Sequence, residues 1–155
     1  MSGEFGRKQM ALDIVAILQA SIKTKLATLP NSAIEYGTRT FAQLFSVQFT
    51  QGIFISFLSG PSSPLTLSAA KQDGQISFQI IIFKVGHDPK TDQQWLLDIA
   101  EEIEAELYAD VNMTLTNGGN FMGVPTFQQG PPVGRGEMTL HFILMEVLYE
   151  KTGAM

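Results

Sequence analysis

The stretch "ISFQIIIFKVGHDPKTDQQWLLDIAEEIEAEL", Ile76 to Leu107, constrains the fold more than any other part of the chain. Gln75–Val85 reads as a strand whose side chains alternate between two faces. Ile76, Phe78, Ile80 and Ile82 point one way; Ile81, Phe83 and Val85 point the other. The second face is polar only at its start. A strand that is apolar on both faces has to be covered on both, which predicts the middle of a layered structure. The segment after it has helical spacing. Trp95, Leu96, Ile99, Ile103 and Leu107 form a buried stripe, and Asp98, Glu101, Glu102 and Glu106 lie mostly away from it. The turn between strand and helix holds His87 and Asp88, and two helix starts fit. Asp88 caps with Pro89 at the first helical position, or Thr91 and Gln94 form a capping box.

Other elements can be read on both sides of this unit. Residues 1–6 read as a loose tail. From Lys8 to Leu29 the apolar residues Ala11, Ile14, Val15, Leu18, Ile22, Leu26 and Leu29 step by threes and fours, predicting one helix stopped by Pro30. Ala33–Thr40 is a connector or a short extended piece. Phe41–Phe49 is a short helix or a strand, with a short helix or an irregular segment favoured. Gly52–Gly60 is β-branched, aromatic and bracketed by glycines, so it reads as a strand. Glu137–Lys151 predicts a last strand that would reach about 40–45 Å, longer than most. Its apolar phase shifts near Phe142–Met145, which predicts a bulge or a passage from the core toward a neighbour. The fold expected is α+β: a single domain over residues 1–155, with a small mixed or antiparallel sheet, two main helices and two long arms. The strands flanking Gly60–Gly74 would form a hairpin with a long tip.

The arms are Gly60–Gly74 and Ala109–Gly136, rich in Gly, Pro and small polar residues; within the second, Met113–Thr116 and Thr126–Gln128 are candidates for extended pieces. Irregular stretches longer than about 12–15 residues are uncommon in compact domains and are usually functional. Such arms can lie along a neighbouring subunit and order on assembly. Pro61, Ser62, Ser63, Pro64 and Leu65 in the first, and Phe121, Phe127 and Arg135 in the second, are the candidate interface residues. Composition agrees with an assembling protein: 45 % of the 155 residues are hydrophobic and only 16 % charged, below the usual quarter.

The formal net charge is −5, and the ten basic residues are scattered. Gripping DNA by its phosphates needs clustered Lys and Arg, so that mode of binding is not expected. There is no cysteine, which excludes disulfides, thiolate metal sites and a cysteine nucleophile and fits a reducing compartment. No stretch approaches the ~20 apolar residues of a membrane span, so no membrane association is expected. The N-terminal "GRKQMALDIVAILQAS" has the basic flank and apolar run of a signal peptide, but Asp13 interrupts the run and no small-x-small site follows.

Candidate chemistry is sparse. His87 beside Asp88 has the makings of a base, yet no nucleophile is specified and there is no G-x-S-x-G elbow; helix capping is the simpler reading. Ser59, Ser62 and Ser63 lie in a plain Gly/Pro-rich loop. His141, between Leu140 and Phe142, lacks metal-ligand spacing and reads as a hydrogen-bonded sheet residue. The carboxylates Asp98, Glu101, Glu102, Glu104 and Glu106 lack the order of a calcium loop and read as a solvated face, or else as an acidic surface for passing DNA or a basic partner. "NGGNFMG" and "GPPVGRG" are joints rather than phosphate loops, having no Lys-Ser/Thr after them. No catalytic residue, metal or cofactor is expected.

In order and local character the elements "ALDIVAILQASIKTKLATLP", "GIFISFL", "ISFQIIIFKV", "TDQQWLLDIAEEIEAEL" and "EMTLHFILMEVLYEK" resemble the tail terminator family of long-tailed bacteriophages, with the related small neck proteins of contractile-tailed phages. The resemblance runs from about Lys8 to Lys151; Ala109–Gly136 is longer and more irregular than the family pattern. It implies a non-enzymatic ring, usually of six copies, at the tail–head junction of the virion, assembled in the host cytoplasm. Its partners would be itself, the tail tube protein and a head-completion or neck protein, with DNA passing through unbound. Asp98, Glu101 and Glu102 are candidates for an acidic lumen, which would suit DNA passage. Two other readings stand beside it: another tail component (tail completion, tube-related or baseplate), and a small hydrolase or ligand-binding domain at the His87 corner.

Overall fold

The computed structural model describes residues 3–37, 41–46, 50–57, 74–109 and 119–151. Helix α1 (Gly3–Ala20) is followed by two 3-10 turns, Leu26–Thr28 and Asn31–Ala33. Strand β1 (Ile34–Tyr36), helix α2 (Phe41–Ser46), strand β2 (Gln51–Phe57), strand β3 (Gly74–Gly86), helix α3 (Pro89–Ala109) and strands β4 (Gly119–Gln129), β5 (Val133–Arg135) and β6 (Met138–Lys151) complete it. The class is α+β, as the sequence pattern predicts. The sheet is mixed, in the order β1-β2-β3-β6-β4, with β5 also paired to β6. Among the described residues only the β1–β2 pair is parallel.

β3 and β6 pair antiparallel from Gly74↔Lys151 to Gly86↔Thr139 without a slip. Their alternation sorts side chains onto two layers. Phe78, Ile80, Ile82, Ile143, Met145, Val147 and Tyr149 join α1 and α3 in the larger core. Phe83, Val85, Leu140 and Phe142 pack on the opposite face with Phe54 and with Leu44 of α2. Phe54 stacks on Phe83 at 5.4 Å, and Phe78 meets Tyr149 edge-on at 5.7 Å, both favoured aromatic geometries. The apolar phase shift in the last strand therefore reflects cover on both faces. β6 keeps its register against β3, and the irregularities sit in its other neighbour, β4, between Phe121 and Gly123 and between Gly123 and Thr126.

Three further expectations are corrected. Residues 1–6 are not all a tail, since α1 begins at Gly3. The first helix ends at Ala20 and does not continue to Leu29. Leu26 and Leu29 still reach the core, but through a 3-10 turn, and Ile22 faces water at 86 % exposure. The spacing of three and four survives the break because a 3-10 turn also returns every third residue to one side. Finally, much of Ala109–Gly136 is sheet: β4 and β5 both lie in it. Gly119, Gly123, Pro125, Gly130, Pro131 and Pro132 give it the look of a loop, but an edge strand tolerates residues that a central strand does not. The Gly60–Gly74 tip falls, apart from Gly74, outside the described residues; the antiparallel β2–β3 pair that flanks it is present.

Two glycines are required by close approach or backbone shape. A Cβ on Gly52 would lie 2.8 Å from the Ala33 carbonyl oxygen and 2.9 Å from the Phe83 ring. Gly136, at φ +65, opens the two-residue hairpin between β5 and β6, the conformation glycine adopts without cost. Gly134, by contrast, has open space beside it. Gly52→Ala is expected to lower stability by about 1–3 kcal/mol through overpacking against backbone, whereas Gly134→Ala should stay within about 0.5 kcal/mol. Urea titration of both variants checks the pair; equal midpoints would contradict the packing described.

Candidate functional site

The His87 corner is a capped connection. Asp88 precedes the first helical residue, Pro89, and its carboxylate accepts the Thr91 hydroxyl at 2.8 Å and the Thr91 amide at 3.5 Å. The Asp88–Pro89 start is thus the one used, and Thr91 serves the cap as a donor. The Thr91 hydroxyl and then its amide hold the Asp88 carboxyl below the usual aspartate range, with desolvation opposing them and the Lys90 amide adding least. His87 is exposed, and its Nδ1 lies 3.2 Å from the Glu137 carbonyl oxygen. That contact ties the corner to the β5–β6 turn.

The acidic side of α3 has a job inside the molecule. Glu102 is half-buried and takes three backbone contacts from the broken end of the first helical run. The Lys25 amide is shared between both carboxylate oxygens at 2.9 and 2.8 Å, and the Leu26 amide donates at 2.7 Å. These amides lead into the 3-10 turn and lack helical partners, so a carboxylate serves them well. Lys25 Nζ lies 3.6 Å from Asp98, and Lys23 Nζ 3.6 Å from Glu106. Glu101 is exposed. The three candidate lumen residues, Asp98, Glu101 and Glu102, thus line one hollow beside Lys25, with Glu101 the exposed member.

Two polar side chains are buried among the described residues. Asp92, in the first turn of α3, is 4 % exposed, and its Oδ2 has no hydrogen-bond partner. It sits against β3, where a Cβ on Gly86 would come within 2.5 Å of it. The helix N-terminus favours a negative charge there. His141 is buried, as a sheet residue, and its Nε2 lacks a hydrogen-bond partner. Lys84, opposite His141 in the β3–β6 register, donates to Gln51 Oε1 at 2.9 Å and lies 4.9 Å from the Trp95 ring centroid.

The candidate interface residues of the second arm lie in β4 and β5, the strands that pair with β6. Phe121 of β4 is opposite Tyr149, Phe127 opposite Met145, and Arg135 of β5 opposite Met138. Phe127 is 47 % exposed. Pro61, Ser62, Ser63, Pro64 and Leu65 lie outside the described residues. No helix among the described residues is long and apolar enough to cross a membrane, and no cluster of three or more metal-binding side chains occurs among them. The acceptor role of Glu102 had no sequence signal, because it depends on where a distant turn ends.

Two variants separate these roles. Glu102→Ala should cost about 2–3 kcal/mol, since hydrogen bonds to a charged group are the strong ones, while Glu106→Ala, which breaks only a 3.6 Å pair with the solvent-exposed Lys23 side chain, should cost under about 1 kcal/mol. Thermal and denaturant unfolding read both; equal losses would refute the capping role. Because the Asp88 carboxyl is held low in the fold, its contribution is present above the unfolded value and lost as pH falls through the folded one. The stability gap between wild type and Asp88→Ala should therefore narrow on acidification; a gap that widens would contradict the cap.

No protein-family model matches the sequence, and no curated protein matches it. Among solved structures, the fold is similar to a chain described as "Virion of native gene transfer agent (GTA) particle", with a TM-score of 0.50 and 17 % identity, over 97 % of this chain and 99 % of that one. The likeness is one of fold, and it runs the whole length of both chains.

Proposed function

We propose that this protein is a structural component of a phage-like virion, and within that class a tail terminator. Copies form a ring, six in number, that caps the finished tail tube, ends its polymerisation and joins it to the head or neck at the tail–head junction. The observation that carries the reading is the end-to-end fold likeness to a chain of a virion particle, in which neither chain has a large part left over. The order of elements that resembles the tail terminator family adds the finer role. The chemistry of the His87 corner agrees, because Asp88 is engaged as a helix cap and His87 lies near a backbone carbonyl.

In this reading the tail tube protein and a head-completion or neck protein meet the two rims of the ring, and DNA passes through without specific binding. The acidic side of α3, with Asp98, Glu101 and Glu102, faces the lumen, where like charge keeps DNA from adhering. Glu101 is the exposed member; Glu102 adds negative charge behind it, while the charge of Asp98 is offset by Lys25. Segment 60–74, with Pro61, Ser62, Ser63, Pro64 and Leu65, lies along the neighbouring copy.

Sedimentation velocity of two variants tests this. His87→Ala should assemble as wild type does, and deletion within 60–74 should impair assembly. Unchanged assembly of the deletion variant would remove the arm from the account; loss of a hydrolytic activity in His87→Ala would overturn the structural role.

A further inference from the structure

The two edges of the sheet are not alike. Among the described residues β4 is paired on one side only. No charged residue occurs between Asp110 and Arg135, so this edge lacks the charges that usually keep edge strands apart. It is nevertheless poorly shaped for long strand pairing. Pro125 has no N–H to offer, and two register shifts interrupt the strand. What it offers instead is side chains. Phe127, opposite Met145, is on the helix-covered face of the sheet and is 47 % exposed. Tyr108, at the end of α3, is 53 % exposed, and its hydroxyl lies close to Gly123 of β4.

The opposite edge has the complement. Where α1 ends, a groove of about 400 Å³ runs beside the start of β1, lined by Leu18, Ile22, Leu26, Ala27, Leu29 and Ile34 among others. Ile22 is 86 % exposed there. Four large hydrophobics stand exposed among the described residues, and three of them are Ile22, Tyr108 and Phe127. They mark the two ends of the same helix-covered face. Charge matches as well: Lys23, whose ammonium lies 3.6 Å from Glu106 of its own chain but whose side chain is still 59 % exposed, adjoins Ile22, and Glu104 lies one turn before Tyr108, on its side of α3.

We infer that a second copy of this chain occupies each of these surfaces: Phe127 and Tyr108 on the β4 edge of one copy dock into the Ile22 groove beside β1 of the next, with Lys23 facing Glu104. Unlike patches meeting head to tail generate a ring when the rotation closes. The inference rests on the ring reading above and gives it a named contact.

The chain has no cysteine, so single-cysteine variants report the contact directly. Ile22→Cys and Phe127→Cys are each oxidised alone and then as an equal mixture. The contact predicts a one-to-one disulfide-linked dimer in the mixture and none in either variant alone. Crosslinking of Phe127→Cys with itself would show like edges meeting, and no crosslink in the mixture would remove the contact; both overturn the inference. In parallel, Phe127→Glu should sediment as a monomer with an unchanged far-ultraviolet circular dichroism spectrum. If wild type and Phe127→Glu assemble equally, the assembly reading stands and this contact falls. If wild type itself stays monomeric at high concentration, both fall.

Discussion

The structure depends on the pairing of β3 with β6. Every residue of β3 is matched to one of β6, and both strands are apolar on both faces over most of their length. A slip of one residue would exchange the two faces. It would move Phe78, Ile80 and Ile82 off the layer filled by α1 and α3 and onto the layer held by α2. Each fully buried Ile or Phe contributes about 1.5–3 kcal/mol, so the correct register is favoured many times over along the ladder. The parts that distinguish this chain hang from that pair: β2 and β1 on one side, β4 on the other, and α3 launched from the end of β3 by the Asp88 cap.

The sequence made this centre legible because its signals are local. Alternation in Ile76–Val85, the stripe Leu96–Ile99–Ile103–Leu107 and the Asp88–Pro89 start depend on neighbours in sequence. The α2 segment and the β2–β3 pair were also foreseen. Legibility failed where a distant group decides the outcome. The first helix ends early while Glu102, far along the chain, receives the amides of Lys25 and Leu26, and periodicity carries no trace of that. Of β4 only Thr126–Gln128 reads as extended; the rest is hidden by glycine and proline, which an edge strand accepts because only one side of it must pair. The partnerless Nε2 of His141 depends on what the strands bring around it, which spacing alone does not specify.

These same places shape the functional account. The break after Ala20 leaves Ile22 in water and forms the groove beside β1. The uncharged β4 edge carries Phe127 at the far side of the sheet. A domain with a well-filled interior and apolar ends is suited to repetition, and the thin surface charge agrees with burial in an assembly. The acidic side of α3 holds the helical layer together through Glu102 and Asp98 while leaving Glu101 outside. One helix can thus stabilise the subunit and, in the proposed ring, present Glu101 to its surface.

Electron microscopy of the purified wild-type protein is the most direct measurement. Closed rings with a central channel wide enough for duplex DNA are the predicted result. Isolated subunits, or open tubes and sheets formed by the protein alone, would contradict the account.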